Sequence, residues 1–287
     1  MRSASVLLDT DIGSDIDDAV ALAYLLRQPQ CELVGISTVS GDVQKRAALA
    51  EAVCLASGRD NIPIHCGRRE ALFDGPGQPN VPQFKSIEKM NFRLNREENT
   101  AVDFLRNTIR QRPHEITLLS IGPLSNIALL FAIDPEIPFL LKSLVSMAGV
   151  FFQGERCEWN CICDPIATSM VYHTPRVEHF SIGLDVTEKC QMSAPEVKSR
   201  FIGEPLATVA LLAEAWFEVR PEITFHDPLA AASIFNPNLL TYRSGQIASS
   251  PASPPGFTRF VEGSGPDRVA ETTSSDEFFE EFFSVFK

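Results

Sequence analysis

Apolar positions along the 287-residue chain fall into two alternating kinds of run. Short, β-branched-rich runs predict strands buried in a sheet; they lie at residues 5–8, 33–39, 62–66, 116–121, 144–149 and 177–184. Longer stretches with apolar positions three and four apart predict helices, at residues 17–28, 44–57, 100–110, 125–131, 205–219 and 228–235. This strand–helix rhythm predicts an α/β fold: one domain over residues 1–287, built on a mostly parallel open sheet with helices on both faces. Two stretches depart from the rhythm. Residues 68–99, rich in Pro, Gly, Asn and charge, read as a long loop or lid, and residues 244–256 (SGQIASSPASPPG) as a flexible loop. The Phe-rich residues 278–286 read as an amphipathic helix packed on the body of the domain.

Charge narrows the partners. Lys and Arg number 25 against 37 Asp and Glu, a net charge of −12. Nucleic-acid binders carry a basic footprint, and anionic lipid attracts basic segments. The balance therefore points away from nucleic acid and membrane, toward a small molecule or a cation. The apolar run Val6-Leu7-Leu8 is too short for a signal peptide. Residues 118–133 are broken by Gly122, Pro123, Ser125 and Asn126 and fall short of a membrane span. A soluble, cytoplasmic protein is expected. Seven cysteines without an export signal argue against a disulfide framework. The cluster Cys157, Cys161 and Cys163 matches no common zinc spacing and reads as buried thiols, with zinc or redox chemistry as the alternative.

The first strand runs into Asp9-Thr10-Asp11-Ile12-Gly13-Ser14-Asp15-Ile16-Asp17-Asp18, five aspartates in ten positions. In open α/β sheets the carboxyl edge of the strands is where ligands bind. Five like charges there repel unless something offsets them, and a hard divalent cation such as Ca²⁺, which takes carboxylate oxygens in flexible geometry, would do so. Helix capping by Asp15 or Asp17 is the alternative, and it accounts for one or two of the five. Two other stretches carry complementary groups. Phe225-His226-Asp227-Pro228-Leu229 puts an imidazole and a carboxylate at a helix start. Cys157-Glu158-Trp159-Asn160, followed by Asp164-Pro165, offers hydrogen-bonding groups for a polyhydroxylated ligand, although Asp164-Pro165 itself reads as a helix start.

With D-T-D-I-G and its doubled aspartate, I-G-P-L-S-N-I-A, E-W-N-x3-D-P, G-L-D-V-T and H-D-P-L-A in order over residues 5–235, the chain resembles the inosine–uridine-preferring nucleoside hydrolases. The resemblance implies a single α/β domain and hydrolysis of the N-glycosidic bond of a ribonucleoside to ribose and free base. It also implies one tightly held Ca²⁺, a place in purine or pyrimidine salvage, and a homodimer or homotetramer. It makes Asp11 a metal ligand and the base that activates a Ca²⁺-bound water. Asp18, Asp227 and the backbone carbonyl of Ser125 would be further ligands. Asp17, Glu158 and Asn160 would bind the sugar, and His226 would protonate the departing base.

The chain departs from the family pattern in three places. Two additional residues separate Gly13 from the Asp pair, which leaves Asp15 as a competitor to Asp17 for the sugar. Gly41-Asp42 stands where the family often has Gly-Asn, so Asp42 is the implied sugar contact there. Residues 68–80 lack the family's His-Gly-x-x-Gly, which opens base preference and motivates a second reading, a catalytically weak ribonucleoside-binding or sensing protein. A haloacid-dehalogenase-type phosphatase is a third, since Asp9-Thr10-Asp11 looks like that family's nucleophile motif. It would need a lysine, for which Lys142 or Lys189 could serve, and it leaves H-D-P-L-A unexplained.

Overall fold

The structure is a computed structural model and describes residues 3–88, 92 and 95–287. The first part runs β1 (Ala4–Thr10), α1 (Asp17–Arg27), β2 (Cys31–Thr38), α2 (Val43–Ala56) and β3 (Ile64–Cys66). A 3₁₀ turn at Pro82–Ser86 leads toward α3 (Ala101–Gln111), β4 (Ile116–Ser120), α4 (Ser125–Ile133), α5 (Ile137–Leu140) and β5 (Ser143–Ser146). Next come α6 (Trp159–Cys163), α7 (Pro165–His173), β6 (His179–Ser181), α8 (Leu184–Thr187), β7 (Gln191–Ser193) and α9 (Ala194–Arg200). The chain closes with α10 (Leu206–Phe217), β8 (Glu222–Thr224), α11 (His226–Ser233), β9 (Leu240–Ser250), β10 (Phe257–Glu262), β11 (Asp267–Thr273) and α12 (Ser275–Ser284).

Nine strands form one sheet in the order β10-β9-β11-β6-β5-β4-β1-β2-β3, and β7 pairs with β8 in a separate ribbon. From β3 to β11 every pairing is parallel; β9 and β10 add an antiparallel edge. The pleat of β1 explains why its sequence is apolar throughout. Val6 and Leu8 pack into the cluster beneath α1, α2 and α10, while Leu7 enters the cluster beneath α3, α4 and α7 on the other face. Helix α1 is buried from Asp17 to Leu26, which its apolar run Ala-Val-Ala-Leu-Ala suits. In α12, Phe278 and Phe282 are buried four residues apart, the single apolar face expected of the Phe-rich stretch.

Successive strands β2 and β3 add on one side of β1, while β4, β5 and β6 add on the other. The sheet thus changes direction between β1 and β4, and a crevice opens beyond the carboxyl ends of strands at such a point. Among the described residues no helix is long and apolar enough to cross a membrane.

Three expectations need correction. Residues 244–256 are mostly strand: β9 extends to Ser250, β10 begins at Phe257, and only residues 251–256 connect them. Gly245 and Ile247 face inward while Ser244, Gln246 and Ala248 face solvent, so the alternation is real but carried by small residues that resemble a loop. The strand expected over 177–184 shortens to β6, because the chain turns at Gly183 beside the carbonyl of Gly149 and enters α8. In the 68–99 loop the 3₁₀ turn interrupts the irregular path; residues 89–91 and 93–94 of that expectation lie outside the described residues.

Candidate active site

A cleft of about 520 Å³ opens at the switch point. The β1–α1 loop brings Asp11, Asp15, Asp17 and Asp18 to it, α11 brings His226 and Asp227, and α6 with its cap brings Glu158, Trp159 and Asn160. The loop needs Gly13, whose φ of +118° is open to glycine and whose Cβ, if present, would lie 2.5 Å from Val81 Cγ1. Gly122, just past β4, lets the backbone close on Asp11: a Cβ there would stand 2.9 Å from its Oδ1.

Oxygens of Asp17, Asp18 and Asp227, all three residues buried, lie within 4.8 Å of one another. Asp18 is held by a 2.5 Å hydrogen bond from the Thr10 hydroxyl, and the amide of Asp227 donates to Asp17 over 3.0 Å. Burial, then mutual repulsion, pushes all three carboxyls well above the ordinary carboxylate range. Asp15 is pushed up to about 6, mainly by burial. Asp11 is raised by burial against the pull of the nearby Arg46 guanidinium. A group of hard oxygen donors that repel one another this strongly suits a divalent cation, and these donors fit one.

The other expected site residues divide. Glu158 caps α6, its carboxylate accepting from the amides of Asn160 (2.6 Å), Cys161 (3.1 Å) and Gly149 (3.3 Å). Asn160 donates to the carbonyls of Ile121 and Met147 over 3.0 and 3.1 Å. His226 Nδ1 bonds the Thr187 hydroxyl at 2.7 Å, and burial pushes its pKa down to about 4 against the opposing charge of Glu188. Asp42 is not brought to this cleft. It caps α2, pairs with Lys45 at 3.2 Å, and lines a neighbouring depression. Ser125 opens α4, and a carbonyl in that position points down the helix toward the amide four residues on; its hydroxyl bonds Asp164 at 2.6 Å. It is Ile121, at the end of β4, that lines the cleft from this side. Asp164 caps α7 as expected from Asp164-Pro165.

Several residues that line or support the site carry no assigned role in the sequence reading: Ile121, Met147, Thr187, Trp216, Arg220 and Arg46. Ile121 opens I-G-P-L-S-N-I-A and Thr187 closes G-L-D-V-T, and Arg46 leaves a signal of its own, an arginine at an inward-facing position of α2 between Val43 and Ala50. Asn126, from I-G-P-L-S-N, ties the switch point together by donating to Asp9 (2.7 Å) and to the Thr38 carbonyl (3.2 Å). Asp9 itself lies beneath the cleft, and burial raises it to about 7. Neither Lys142 nor Lys189 lines the cleft, so a phosphatase arrangement is not assembled. All seven cysteines are free thiols; Cys161 and Cys163 are buried and Cys157 lines the cleft.

The fold and cleft are those of an α/β enzyme whose centre is a carboxylate cluster of the metal-dependent kind. The sequence profile of the inosine-uridine preferring nucleoside hydrolases matches residues 6–277, and the chain belongs to that family, enzymes acting on the N-glycosidic bond of ribonucleosides. It is 26% identical over 267 residues to uridine nucleosidase 1 of Arabidopsis thaliana, covering 86% of this chain and 78% of that protein. It is 28% identical over 265 residues to the pyrimidine-specific ribonucleoside hydrolase RihA of Salmonella typhi, covering 82% and 81%. Its fold matches that of the purine-preferring ribonucleoside hydrolase from Gardnerella vaginalis with a TM-score of 0.81 at 22% identity, over 98% of this chain and 97% of that one.

Proposed function

We propose that the protein hydrolyses ribonucleosides to ribose and free base with Ca²⁺ at the aspartate cluster. The observation that carries this reading is the meeting of Asp17, Asp18 and Asp227 in the cleft that also holds Asp11, Glu158, Asn160 and His226. The cation would be held by the three aspartates, with Asp11 adjoining them. A bound divalent cation supplies charge neutralisation and a Lewis acid that orients and acidifies the attacking water; Ca²⁺ suits an all-oxygen donor set.

The remaining steps belong to the chain. Asp11 accepts the proton of the attacking water, and the neighbouring Arg46 favours its ionised form. Bond breaking leaves an oxocarbenium-like ribosyl group, and the surrounding carboxylates stabilise its developing positive charge. Glu158 and Asn160 orient the sugar hydroxyls. His226, neutral near pH 7, supports the departing base as a hydrogen-bond donor from Nε2 while its Nδ1 accepts from Thr187. Trp159 and Trp216 offer planar apolar faces for the base.

The test assays a panel of purine and pyrimidine nucleosides by reducing sugar, alongside p-nitrophenyl phosphate, with and without Ca²⁺. Ca²⁺-dependent ribose release from at least one nucleoside is expected. Phosphatase activity without ribose release, or nucleoside binding without turnover, would overturn the reading.

A further inference from the structure

Arg46 is fully buried, and no step above uses its hydrogen bonds. Its Nε donates to the Ser40 carbonyl at 2.6 Å. One terminal nitrogen donates to the carbonyl of Asp11, to that of Ile12 at 3.0 Å and to the Ser14 hydroxyl at 3.1 Å. The other reaches the Gln78 carbonyl at 2.5 Å. These acceptors are all neutral, and they belong to three segments: the acidic loop, the β2–α2 turn and the segment leading to the 3₁₀ turn. The countercharges are Asp11 and Asp18, which act on the guanidinium through space. A buried cation is costly without such compensation, and only a planar fork of donors reaches three segments at once.

Further hydrogen bonds run along the same seam. Ser14 Oγ donates to the Asn80 carbonyl (2.8 Å), Gln83 Nε2 to the Asp15 carbonyl (2.7 Å), and the Gln78 amide to Ser40 Oγ (2.6 Å). Gln78, Asn80 and Pro82 line the cleft alongside Asp11, Asp15, Asp17 and Asp18.

We propose that Arg46 is a positioning residue that joins the cation-holding loop, residues 11–18, and the substrate-facing wall, residues 78–82, into one piece. Cation binding and nucleoside binding then depend on the same guanidinium. The nucleoside half of this inference rests on the function proposed above; the cation half does not.

The experiment compares wild type with Arg46→Lys and Arg46→Gln. Ca²⁺ is titrated into chelator-treated protein and read by the fluorescence of Trp159 and Trp216, which both line the cleft. Amide exchange over residues 11–18 and 76–83 is followed in parallel. In Arg46→Lys the Ca²⁺ dissociation constant is expected to rise about 10–100-fold, the size seen when supporting groups around a metal site are removed. Exchange should rise in both segments together, and KM for the nucleoside should rise more than kcat falls. A folded Arg46→Lys protein with unchanged Ca²⁺ affinity, or with faster exchange in one segment only, overturns the proposal. If both variants fail to fold, wild type alone decides: Ca²⁺ must slow exchange in residues 76–83 as well as in 11–18, and protection confined to 11–18 overturns it. Ca²⁺ binding without ribose release from any nucleoside would refute the enzymatic reading and leave these binding and exchange criteria standing.

Discussion

At the carboxyl end of β1, carboxylates of Asp17, Asp18 and Asp227 crowd together, with Asp11 and Asp15 in the same cleft. Across the sheet, on β6 and β11, a second set of buried charges is arranged in the opposite way. Asp267 accepts from Arg176, bonds His179 Nδ1 at 3.1 Å, and takes the amide of Ile247 at 2.7 Å. Arg176 also donates to the carbonyls of Val171, Tyr172 and Thr174. Burial pushes Asp267 up, but the His179 hydrogen bond and the positive charge of Arg176 help to outweigh it and hold its carboxyl below the ordinary value. In the aspartate cluster burial is joined by repulsion and the carboxyls rise. The paired cluster balances its charge within the chain and serves the fold. The aspartate cluster keeps an excess of negative charge that a bound cation would offset.

The contrast breaks most sharply under substitution. Asp11→Asn is expected to lower kcat by about 10²–10⁴-fold, the usual worth of a positioned general base, as read by ribose release. Its melting temperature without added cation should not fall, since one member of a repelling group has been removed. A matched loss of stability would mean that Asp11 serves the fold as Asp267 does.

Arg176→Met should show the reverse. Removing one partner of a buried pair leaves the other uncompensated, at a cost of about 3–5 kcal/mol. Denaturant unfolding should register that loss, while turnover of the folded fraction stays close to wild type. A fall in kcat at conditions where the variant is folded would tie this cluster to the site and end the distinction.

How far each cluster was legible follows from the same difference. Five aspartates in ten positions violate the usual spacing of like charge, and the violation is visible in the chain because it is local. Asp227 joined them through a motif, not through pattern. Arg176, His179 and Asp267 leave no comparable trace, since 88 residues separate His179 from Asp267 and only the pairing of β6 with β11 brings them together. Backbone groups are hidden for a similar reason. Ser125 and Ile121 lie four residues apart, and nothing in their side chains says that one carbonyl is spent inside α4 while the other residue edges the cleft. The resemblance implies a sugar contact at Asp42 because Gly41-Asp42 stands where the family often has Gly-Asn, yet the same placement makes it the cap of α2. The strands and helices were legible where apolar residues carried the period, and β9 was not, because Gly245 and serines carried it.

Cation addition tests that excess of charge directly. A ligand that binds only the folded state stabilises it by about 2.7 kcal/mol at 100 times its dissociation constant. Chelator-treated wild type should gain stability of that order with saturating Ca²⁺, and Asp227→Asn should gain far less. Arg176→Met, though destabilised, should keep the full increment. Equal increments in all three proteins would show that the cation acts elsewhere.

The smallest expected effect is one of pH, and it belongs to the paired cluster. Burial, against the hydrogen bond to Asp267, keeps the His179 pKa below its ordinary value of 6.5. A histidine depressed in the folded state binds its proton more readily when unfolded, so it favours folding above pH 6.5 and this contribution is lost as pH falls through the native value. His179→Gln should therefore lower stability at pH 7.5, where the bonds to Asp267 and to the Ser146 hydroxyl are lost or replaced. Its stability should also fall less steeply than that of wild type as pH drops below 6.5. Unfolding curves of the two proteins at pH 7.5 and 5.5 measure the difference. Parallel losses would show that His179 does not carry the proton uptake, and that the paired cluster, like the aspartates, owes its pH response to its carboxylate.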